Sequence, residues 1–375
     1  MNARVLKAFV MCSVLMLVAA ACGGGGTETS DEASPSGSGA TDGGTEAFAQ
    51  EFEEATVMVV SNNTHLAAMA AAEQGFWLQH GLDVTLEVLD SGQEIMTAVG
   101  AGEAQFGGVN AATTIPPARA GGLEASVVVP YMNNALAVAD VGRVALIARA
   151  DSGINPDDPA SVEGKKLGVL DGSTTDQYIR SYLERNDLTV DDVELLNMPV
   201  PDMPVALEQG LVEAVVPWEP YVSQILREQG DNAVIIERGG DYVADVIGLA
   251  TLDSLIQEQP ELVEKLILGI LEGAKFVRQN PEQAGEILTS YVSGVQVEDV
   301  IEGNRETSYD PRVSVCTEKG VLEGAQTLID AGEIEHEPFK LEELLYVEML
   351  DRLTEENPQF FDDLEPLPED LSGCQ

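Results

Sequence analysis

The feature that most constrains the fold of this chain is an alternation of strand and helix patterns over residues 55–118, which starts again near residue 166. In the stretch LDVTLEVLD, residues 82–90, apolar and polar residues alternate with the period of a half-buried strand. A helix pattern over 66–79 precedes this strand, and Gly81 suits its C-terminal end. Strands that alternate with helices at this spacing predict an α/β lobe.

The second block of the alternation predicts a second α/β lobe. A strand is expected over 166–170 and a helix over 174–185. Ser173 and Asp176 have the spacing of a capping box at the start of that helix. Further strand and helix patterns follow, and from about residue 255 the pattern is mostly helical. The chain is therefore expected to form two α/β lobes with a helical C-terminal part.

Several of the expected helices begin directly after a strand, on the rim where the two lobes would face each other. Ligands of α/β sheets bind at the carboxyl ends of strands. A helix N-terminus adds free N–H donors and a partial positive charge. The sequence therefore predicts a cleft between the lobes, with polar walls that suit an anion.

The N-terminal segment has the order of charge and apolar residues that is typical of a secretion signal. Arg4 and Lys7 precede an apolar run over 8–20, which is too short to span a bilayer. Small residues directly before Cys22 resemble the lipobox of bacterial lipoproteins, which implies removal of residues 1–21 and a lipid on the Cys22 thiol. The alternative is an ordinary signal peptide. On the resemblance, the mature protein lies outside the cytoplasm, anchored to the outer face of the cell membrane.

Residues 22–54 are expected to be a flexible tether. From Gly23 to about Thr45 the chain is rich in Gly, Ser, Thr and acidic residues, with almost no apolar side chains to bury. After Cys22 no apolar run is long enough to cross a membrane.

The charge of the chain limits its partners. The 65 acidic residues outnumber the 19 basic ones and give a formal net charge of −46. Such a surface repels nucleic-acid phosphates and anionic lipid headgroups, so no nucleic-acid partner is expected, and membrane contact is expected through the lipid alone. A chain this acidic gains from screening by salt, which suggests a saline or alkaline habitat.

Cysteines and histidines argue for a disulfide and against a metal site. Cys12 leaves with the signal and Cys22 is the lipid site, so Cys316 and Cys374 remain. Two thiols in an exported protein usually form a disulfide, and two free thiols are the alternative. The three histidines show no ligand spacing, so no metal is expected.

Five segments carry a resemblance to a known family: AAEQGFWLQHGLDVTLE, GAGEAQFGGVNAAT, VEGKKLGVLDGSTTDQYIRSYL, ALEQGLVEAVVPWEPYVSQ and PELVEKLILGILEGAKFVRQNPEQA. They resemble, in this order, the nitrate, sulfonate and taurine group of substrate-binding proteins of ABC importers. That group shares its fold with thiamine-pyrimidine-precursor binding proteins. The resemblance covers about residues 55–288.

The resemblance implies a type II-like periplasmic-binding-protein fold whose lobes close over a small ligand and deliver it to a membrane permease. It places the N-terminal part of lobe 1 at 55–145, lobe 2 at 146–249, and a return to lobe 1 with the C-terminal helices at 250–375. The crossings between lobes are expected near 143–149 and 245–252. A monomer without a cofactor is expected.

Carried over to the strand ends of this sequence, the resemblance implies ligand-binding residues in both lobes. In lobe 1 they are Asn62, Asn63, Thr64, His65, Ser91, Gln93, Asn110 and Ala111, with Asn133 and Asn134 in question because the segment 132–142 is longer than the family norm. In lobe 2 they are Ser173, Thr174, Thr175, Asp202, Trp218 and Glu219.

Several of these residues have a purely structural alternative. Ser91, Ser173 and Asp202 could serve as helix caps alone. Trp218 could fill the core, and His65 could be a polar residue at a helix start.

The candidate residues predict a small organic nitrogen-bearing solute. They include no Arg or Lys, whereas Asp202 and Glu219 suit an amine, so a taurine-like zwitterion fits best. A pyrimidine or thiamine-precursor-like heterocycle on Trp218 fits nearly as well, and nitrate fits worst.

Two other classes of protein find less support in the sequence. A pyrimidine synthase of the same fold needs a Schiff-base lysine, and no lysine lies between Lys7 and Lys165, so no catalytic residue is expected. A calcium-binding surface scaffold would need an Asp-x-Asp-x-Asp-Gly loop, which does not occur.

Overall fold

The computed structural model describes residues 52–134, 142–240 and 242–374. The expected signal at 1–21, the lipid site Cys22 and all of the expected tether except its last three residues lie outside the described residues. Within them, two five-stranded sheets form the cores of two lobes. The prediction of two α/β lobes with a helical C-terminal part is confirmed.

Five strands form the sheet of lobe 1: β1 (Glu53–Val60), β2 (Leu82–Leu89), β3 (Phe106–Asn110), β4 (Ala125–Asn133) and β10 (Val246–Leu252). Their order is β2-β1-β3-β10-β4. β1 is parallel to β2 and β3, whereas β10 runs antiparallel to β3 and β4. The first strand starts at Glu53, two residues before the predicted strand, and so takes in the last residues of the expected tether.

The helices of lobe 1 that precede the first crossing are α1 (Leu66–Glu73), α2 (Phe76–Gln79), α3 (Gly92–Gly100) and α4 (Ile115–Ala120). The single helix predicted over 66–79 is divided because Gly75 takes a left-handed conformation, with φ of 70°. This break lets Trp77 turn into the core, where its Nε1 donates to the Leu266 carbonyl at 2.9 Å.

Lobe 2 repeats the arrangement with β5 (Ala145–Arg149), β6 (Lys166–Val169), β7 (Glu194–Asn197), β8 (Ala214–Val215) and β9 (Ala233–Arg238). Their order is β7-β6-β8-β5-β9. β6 is parallel to β7 and β8, and β5 is antiparallel to β8 and β9. The helices are α5 (Thr174–Arg185), α6 (Met203–Glu208) and α7 (Tyr221–Gln229).

The chain passes from lobe 1 to lobe 2 between the end of β4 and the start of β5, and it returns between the end of β9 and the start of β10. The described residues of the first crossing are 134 and 142–144, and those of the second crossing are 239–240 and 242–245. The stretches expected to cross, 143–149 and 245–252, largely coincide with β5 and β10, the first strand after each crossing. The expected boundary at 249/250 falls inside β10, which belongs wholly to the sheet of lobe 1. A continuously buried apolar strand shows no pattern that tells which sheet it will join.

The C-terminal part consists of α8 (Asp253–Glu258), α9 (Pro260–Gln279), α10 (Pro281–Tyr291), α11 (Val297–Asn304), α12 (Val315–Asp330), α13 (Leu341–Leu344) and α14 (Glu348–Glu356). Gly273 lets α9 approach α1 closely, because a Cβ there would collide with the Ala67 carbonyl. A disulfide joins Cys316 to Cys374, with 5.3 Å between the Cα atoms, and ties the chain end to α12. None of the described helices is long and apolar enough to span a bilayer.

Candidate functional site

A small cavity of about 40 Å³ lies between the two lobes, at the strand ends. Both lobes and the first crossing contribute to its wall: Val60, Asn62, Thr64, His65, Gly92, Gly108, Val109, Asn110, Thr114, Arg143, Gly172, Ser173, Thr174, Trp218 and Ile247. The lobes are in contact beside it, because Gly172 of lobe 2 lies so close to the Gln93 amide of lobe 1 that a Cβ would collide with it.

Half of the residues expected to bind ligand lie in the wall of this cavity: Asn62, Thr64, His65, Asn110, Ser173, Thr174 and Trp218. The others lie outside the wall: Asn63, Ser91, Gln93, Ala111, Thr175, Asp202 and Glu219.

The turn after β1 is held by Asn62. Its side-chain oxygen accepts from the Thr64 backbone N–H at 3.0 Å and from the Thr64 hydroxyl at 2.5 Å. Asn63 points elsewhere, since its Nδ2 donates to the Val300 carbonyl at 3.0 Å and to Asn304 Oδ1 at 2.7 Å. Asn62 and Thr64 therefore face the cavity while Asn63 fixes this turn to α11.

His65 is a neutral hydrogen-bonding group in the cavity wall. Its Nδ1 lies 2.6 Å from the Tyr131 hydroxyl, and both side chains are buried. Burial, with the nearby charge of Arg143, lowers the pKa of His65 to about 3. Gly108 makes room for this pair, because a Cβ there would lie 2.6 Å from the Tyr131 oxygen.

Ser173 caps α5 at the opposite wall. Its hydroxyl accepts from the Thr175 backbone N–H at 3.1 Å and donates to the Leu170 carbonyl at 2.7 Å. Thr175 Oγ1 accepts from the Leu170 N–H at 3.0 Å, which occupies it inside this turn. Thr174, between them, lies in the cavity wall.

The end of β3 is tied to the second crossing. Asn110 Nδ2 donates to the Ala244 carbonyl at 3.1 Å and to Asp245 Oδ1 at 3.3 Å. The Ala111 N–H donates to the Val246 carbonyl at 2.9 Å and is used within the fold.

Ser91 has a capping role at α3. Its hydroxyl accepts from the Glu94 N–H at 3.2 Å. The Glu94 carboxylate reaches back to the Asp90 N–H, also at 3.2 Å, one residue before the position that a capping box predicts.

The two candidate acids lie apart from the cavity. Asp202 is exposed and makes no capping bond through its side chain to the helix it precedes. Glu219 is fully buried and accepts from Arg238 Nη2 at 2.5 Å and from the Ser223 N–H at 3.1 Å. Burial raises the pKa of Glu219 to about 6. The Glu219 carboxylate, which was expected to bind a ligand amine, therefore forms an ion pair with Arg238 instead.

Asn133 and Asn134 hold the C-terminal part against the first crossing. Asn133 Nδ2 donates to Thr317 Oγ1 at 2.8 Å, and Asn134 Nδ2 donates to the Glu306 carbonyl at 2.9 Å.

Arg143 is the charged residue of the described cavity wall, and sequence reasoning missed it. Its side chain is only 2% exposed, Nη2 donates to Asp245 Oδ1 at 2.7 Å, and Nε is in ion-pair contact with Asp245 Oδ2. The guanidinium lies 5.9 Å from the centre of the Trp218 ring. The one sequence signal for Arg143 was its position directly before the apolar segment 144–148.

A wider groove of about 720 Å³ lies between α5 and α12. It borders residues 134 and 142, which flank a stretch outside the described residues. Its cations are engaged: Arg180 pairs with Asp176 at 2.8 Å, and Lys319 with Glu323 at 2.7 Å. The small cavity, where polar groups from both lobes converge, is the better candidate site.

The wall of the small cavity combines amide, hydroxyl, neutral imidazole, guanidinium and indole groups with the apolar side chains of Val60, Val109 and Ile247. Such a wall can hold a small polar solute by hydrogen bonds from several directions. Across the described ranges, no cluster of three or more His, Cys, Asp or Glu side chains could hold a metal ion.

A family model described as NMT1/THI5 like matches residues 62–284. A putative binding protein of Brucella abortus (strain 2308) is 27% identical over 225 residues, which is 59% of this chain and 66% of that protein. The chain therefore spans just under two thirds of the length of the first curated relatives it matches. The taurine-binding periplasmic protein of Escherichia coli (strain K12) is 22% identical over 280 residues, 72% of this chain and 84% of that protein.

Solved structures share the fold. The alkanesulfonate-binding protein SsuA from Xanthomonas axonopodis pv. citri, bound to MOPS, superposes with a TM-score of 0.66 at 15% identity and covers 79% of this chain and 99% of its own. The desulfurization enzyme DSZB gives a TM-score of 0.59 at 18% identity, over 81% of this chain and 99% of its own.

Proposed function

Because the chain belongs to the NMT1/THI5-like family, we propose that it is the solute-binding protein of an ABC importer. In this role it captures a small solute between its lobes and delivers it to a membrane permease. Proteins of similar fold include an alkanesulfonate-binding protein, and one relative is a taurine-binding periplasmic protein.

The observation that carries this proposal is the cavity lined by residues of both lobes. His65 and Asn110 belong to lobe 1, Thr174 and Trp218 to lobe 2, and Arg143 to the first crossing. A solute held by all three parts is released only when the lobes separate. Closure about a hinge of this kind is a common way for a two-lobed protein to bind a ligand.

The proposed solute is a small sulfonate-like molecule, with taurine as the first example. The polar wall suits such a solute, and the relatives' names point the same way. The expected amine rested on Asp202 and Glu219, which lie outside the cavity wall, so we propose the sulfonate class without requiring an amine. A heterocycle stacked on Trp218 and nitrate are the alternatives to test.

The protein is proposed to work outside the cytoplasm, tethered through a lipid on Cys22. A tethered capture protein stays at high effective concentration near its permease. With Cys22→Ser we expect a precursor that retains its signal and takes up no fatty acid, seen by labelling cells with a fatty-acid analogue. Normal processing of this variant would contradict the anchor.

Identification of the bound solute tests the proposed function. Protein purified from its own cells is denatured, and the released small molecules are identified by mass spectrometry. We expect one solute per protein molecule, and calorimetric binding of taurine, ethanesulfonate or nitrate to the stripped protein. If no solute is released and none of the three binds, the proposal is wrong.

The alternative is an enzyme on the same fold, as the likeness to a desulfurization enzyme illustrates. Among the described residues that line the cavity there is no lysine or cysteine to act as a nucleophile, which favours binding without turnover. Incubation with ethanesulfonate should return it unchanged. Release of sulfite, or a yellow cofactor absorbance, would favour the enzyme.

A further inference from the structure

The cavity contains a buried cation whose hydrogen bonds are only partly used. Arg143 is 2% exposed, and the Asp245 side chain that pairs with it is 11% exposed. Removing a guanidinium from water costs several kcal/mol unless it is paired and hydrogen-bonded. Asp245 supplies the pairing on the Nη2 and Nε side.

The remaining donors of this group are unsatisfied. Within the described parts of the chain, neither Arg143 Nη1 nor the indole Nε1 of Trp218 has a hydrogen-bond partner. Both side chains line the cavity and are at least nine-tenths buried. Buried donors without acceptors are costly, so these two cavity-lining side chains favour a ligand that supplies acceptor oxygens.

The neighbouring groups leave Arg143 as the source of positive charge. His65 is neutral because burial lowers its pKa to about 3. The nearby Tyr309 hydroxyl is used, since it donates toward the Asn63 carbonyl and Asn304 Oδ1. Among the described lining residues, Arg143 carries the one positive charge.

The ion pair of Arg143 and Asp245 also links the two crossings between the lobes. Arg143 lies in the first crossing and Asp245 in the second, and Asn110 Nδ2 also reaches Asp245 Oδ1 at 3.3 Å. The guanidinium is therefore fixed where the two lobes hinge. A planar guanidinium held on one edge presents its other N–H groups to an oxyanion in a defined direction.

We propose that Arg143, with the Trp218 indole N–H beside it, determines specificity for the anionic end of the solute, so that an uncharged isostere of the same shape is rejected. This inference rests on the proposed function.

Calorimetry with ethanesulfonate and its uncharged analogue ethanesulfonamide tests the inference. The native protein should prefer the sulfonate. Arg143→Met should weaken sulfonate binding by about 10-fold to 100-fold and change sulfonamide binding little, because a charged hydrogen bond is lost. The sulfonate affinity of Arg143→Lys should lie between the affinities of native protein and Arg143→Met. Arg305→Met is the matched control, since Arg305 is 67% exposed and its loss should leave both affinities unchanged.

A second variant guards against misfolding. Arg143→Met alone leaves the Asp245 carboxylate buried without its partner, so the double variant Arg143→Met, Asp245→Asn removes both charges. Its fold is checked by thermal unfolding. The ratio of sulfonate affinity to sulfonamide affinity should decrease in the double variant as well. If Arg143 had a purely structural role, this ratio would not change.

The outcomes separate the two claims. If Arg143→Met keeps the sulfonate preference, or if the solute released from native protein is neutral or cationic, the inference is wrong while the proposed function stands. If native protein releases no solute and binds no probe, the proposed function fails and the inference fails with it.

Discussion

Among single residues, Glu219 shows most clearly what burial does to a charge. Its carboxyl is fully buried beside Arg238, and burial raises its pKa from 4.5 to about 6. A carboxyl with a raised pKa binds its proton more tightly in the folded state than in the unfolded state. The folded state therefore loses stability as pH rises from about 4.5 through about 6.

Glu219→Gln should remove this dependence. Between about pH 4 and pH 7 the unfolding free energy of the native protein should fall relative to the variant by about 2 kcal/mol, the value of a pKa gap of about 1.5. Urea unfolding at four pH values measures the difference, with Glu302→Gln on the exposed face of α11 as the control. If the unfolding free energies of native protein and Glu219→Gln change with pH in parallel, Glu219 is not the source of the pH dependence.

The sequence predicted local roles at the site better than distant ones. Asn62 and Ser173 are short polar residues that follow strands by two and four residues, and each bonds to backbone within two or three residues. Arg143 depends on Asp245, 102 residues away, so nothing local signals that it is buried and paired. Glu219 was predicted as a free acid for the same reason, since its partner Arg238 follows 19 residues later on another strand.

At the scale of elements, α7 of lobe 2 meets α11 of lobe 1 in a contact that we call the α7–α11 seam, formed by Arg227, Glu219, Asp299 and Gly303. Arg227 makes two bonds to Asp299, at 2.7 and 2.8 Å, and Asp299 is 2% exposed. A Cβ on Gly303 would lie 2.9 Å from both Asn63 Nδ2 and Glu219 Oε2. The seam joins lobe 2 to the C-terminal part of the chain.

Gly303→Ala should hold the lobes apart. Overpacking of a tight contact costs about 1–3 kcal/mol, and if this cost falls on the closed state alone, solute affinity drops by about 5-fold to 150-fold. Calorimetry with ethanesulfonate measures the loss. Glu302→Ala, next to it and 56% exposed, should bind normally. Equal affinity of Gly303→Ala and native protein would show that the seam does not oppose opening.

Elements were predicted best where a periodic pattern or a cap marked them. The alternation over 82–90 became β2. Ser173 caps α5 through the Thr175 N–H, whereas the Asp176 carboxylate accepts from the Gly172 N–H, one residue before the position of the predicted capping box. The crossings were displaced because β5 and β10 are continuously apolar, and a strand buried on both faces does not reveal its sheet. The division of the helix at Gly75 accompanies a contact of Trp77 with Leu266 on α9, and a contact this distant in sequence leaves no local pattern.

At the scale of the whole molecule, the net charge of −46 is the dominant property. Like charges spread over one surface repel each other, and salt screens this repulsion over about 10 Å at 0.1 M. The unfolding midpoint should rise by at least about 4 °C between low salt and molar NaCl, equivalent to about 3 kcal/mol for a chain of this size. Scanning calorimetry in NaCl and KCl, which should act alike, measures it. A midpoint independent of salt would refute the role given to repulsion.

The central claim is that the two lobes close over a small solute, and small-angle X-ray scattering tests it most directly. Protein stripped of solute by unfolding and refolding is titrated with taurine or ethanesulfonate. We predict a saturable decrease in the radius of gyration at one solute per protein, because a solute that binds residues of both lobes draws the lobes together. A radius of gyration that does not change when calorimetry shows a solute to be bound would contradict this account.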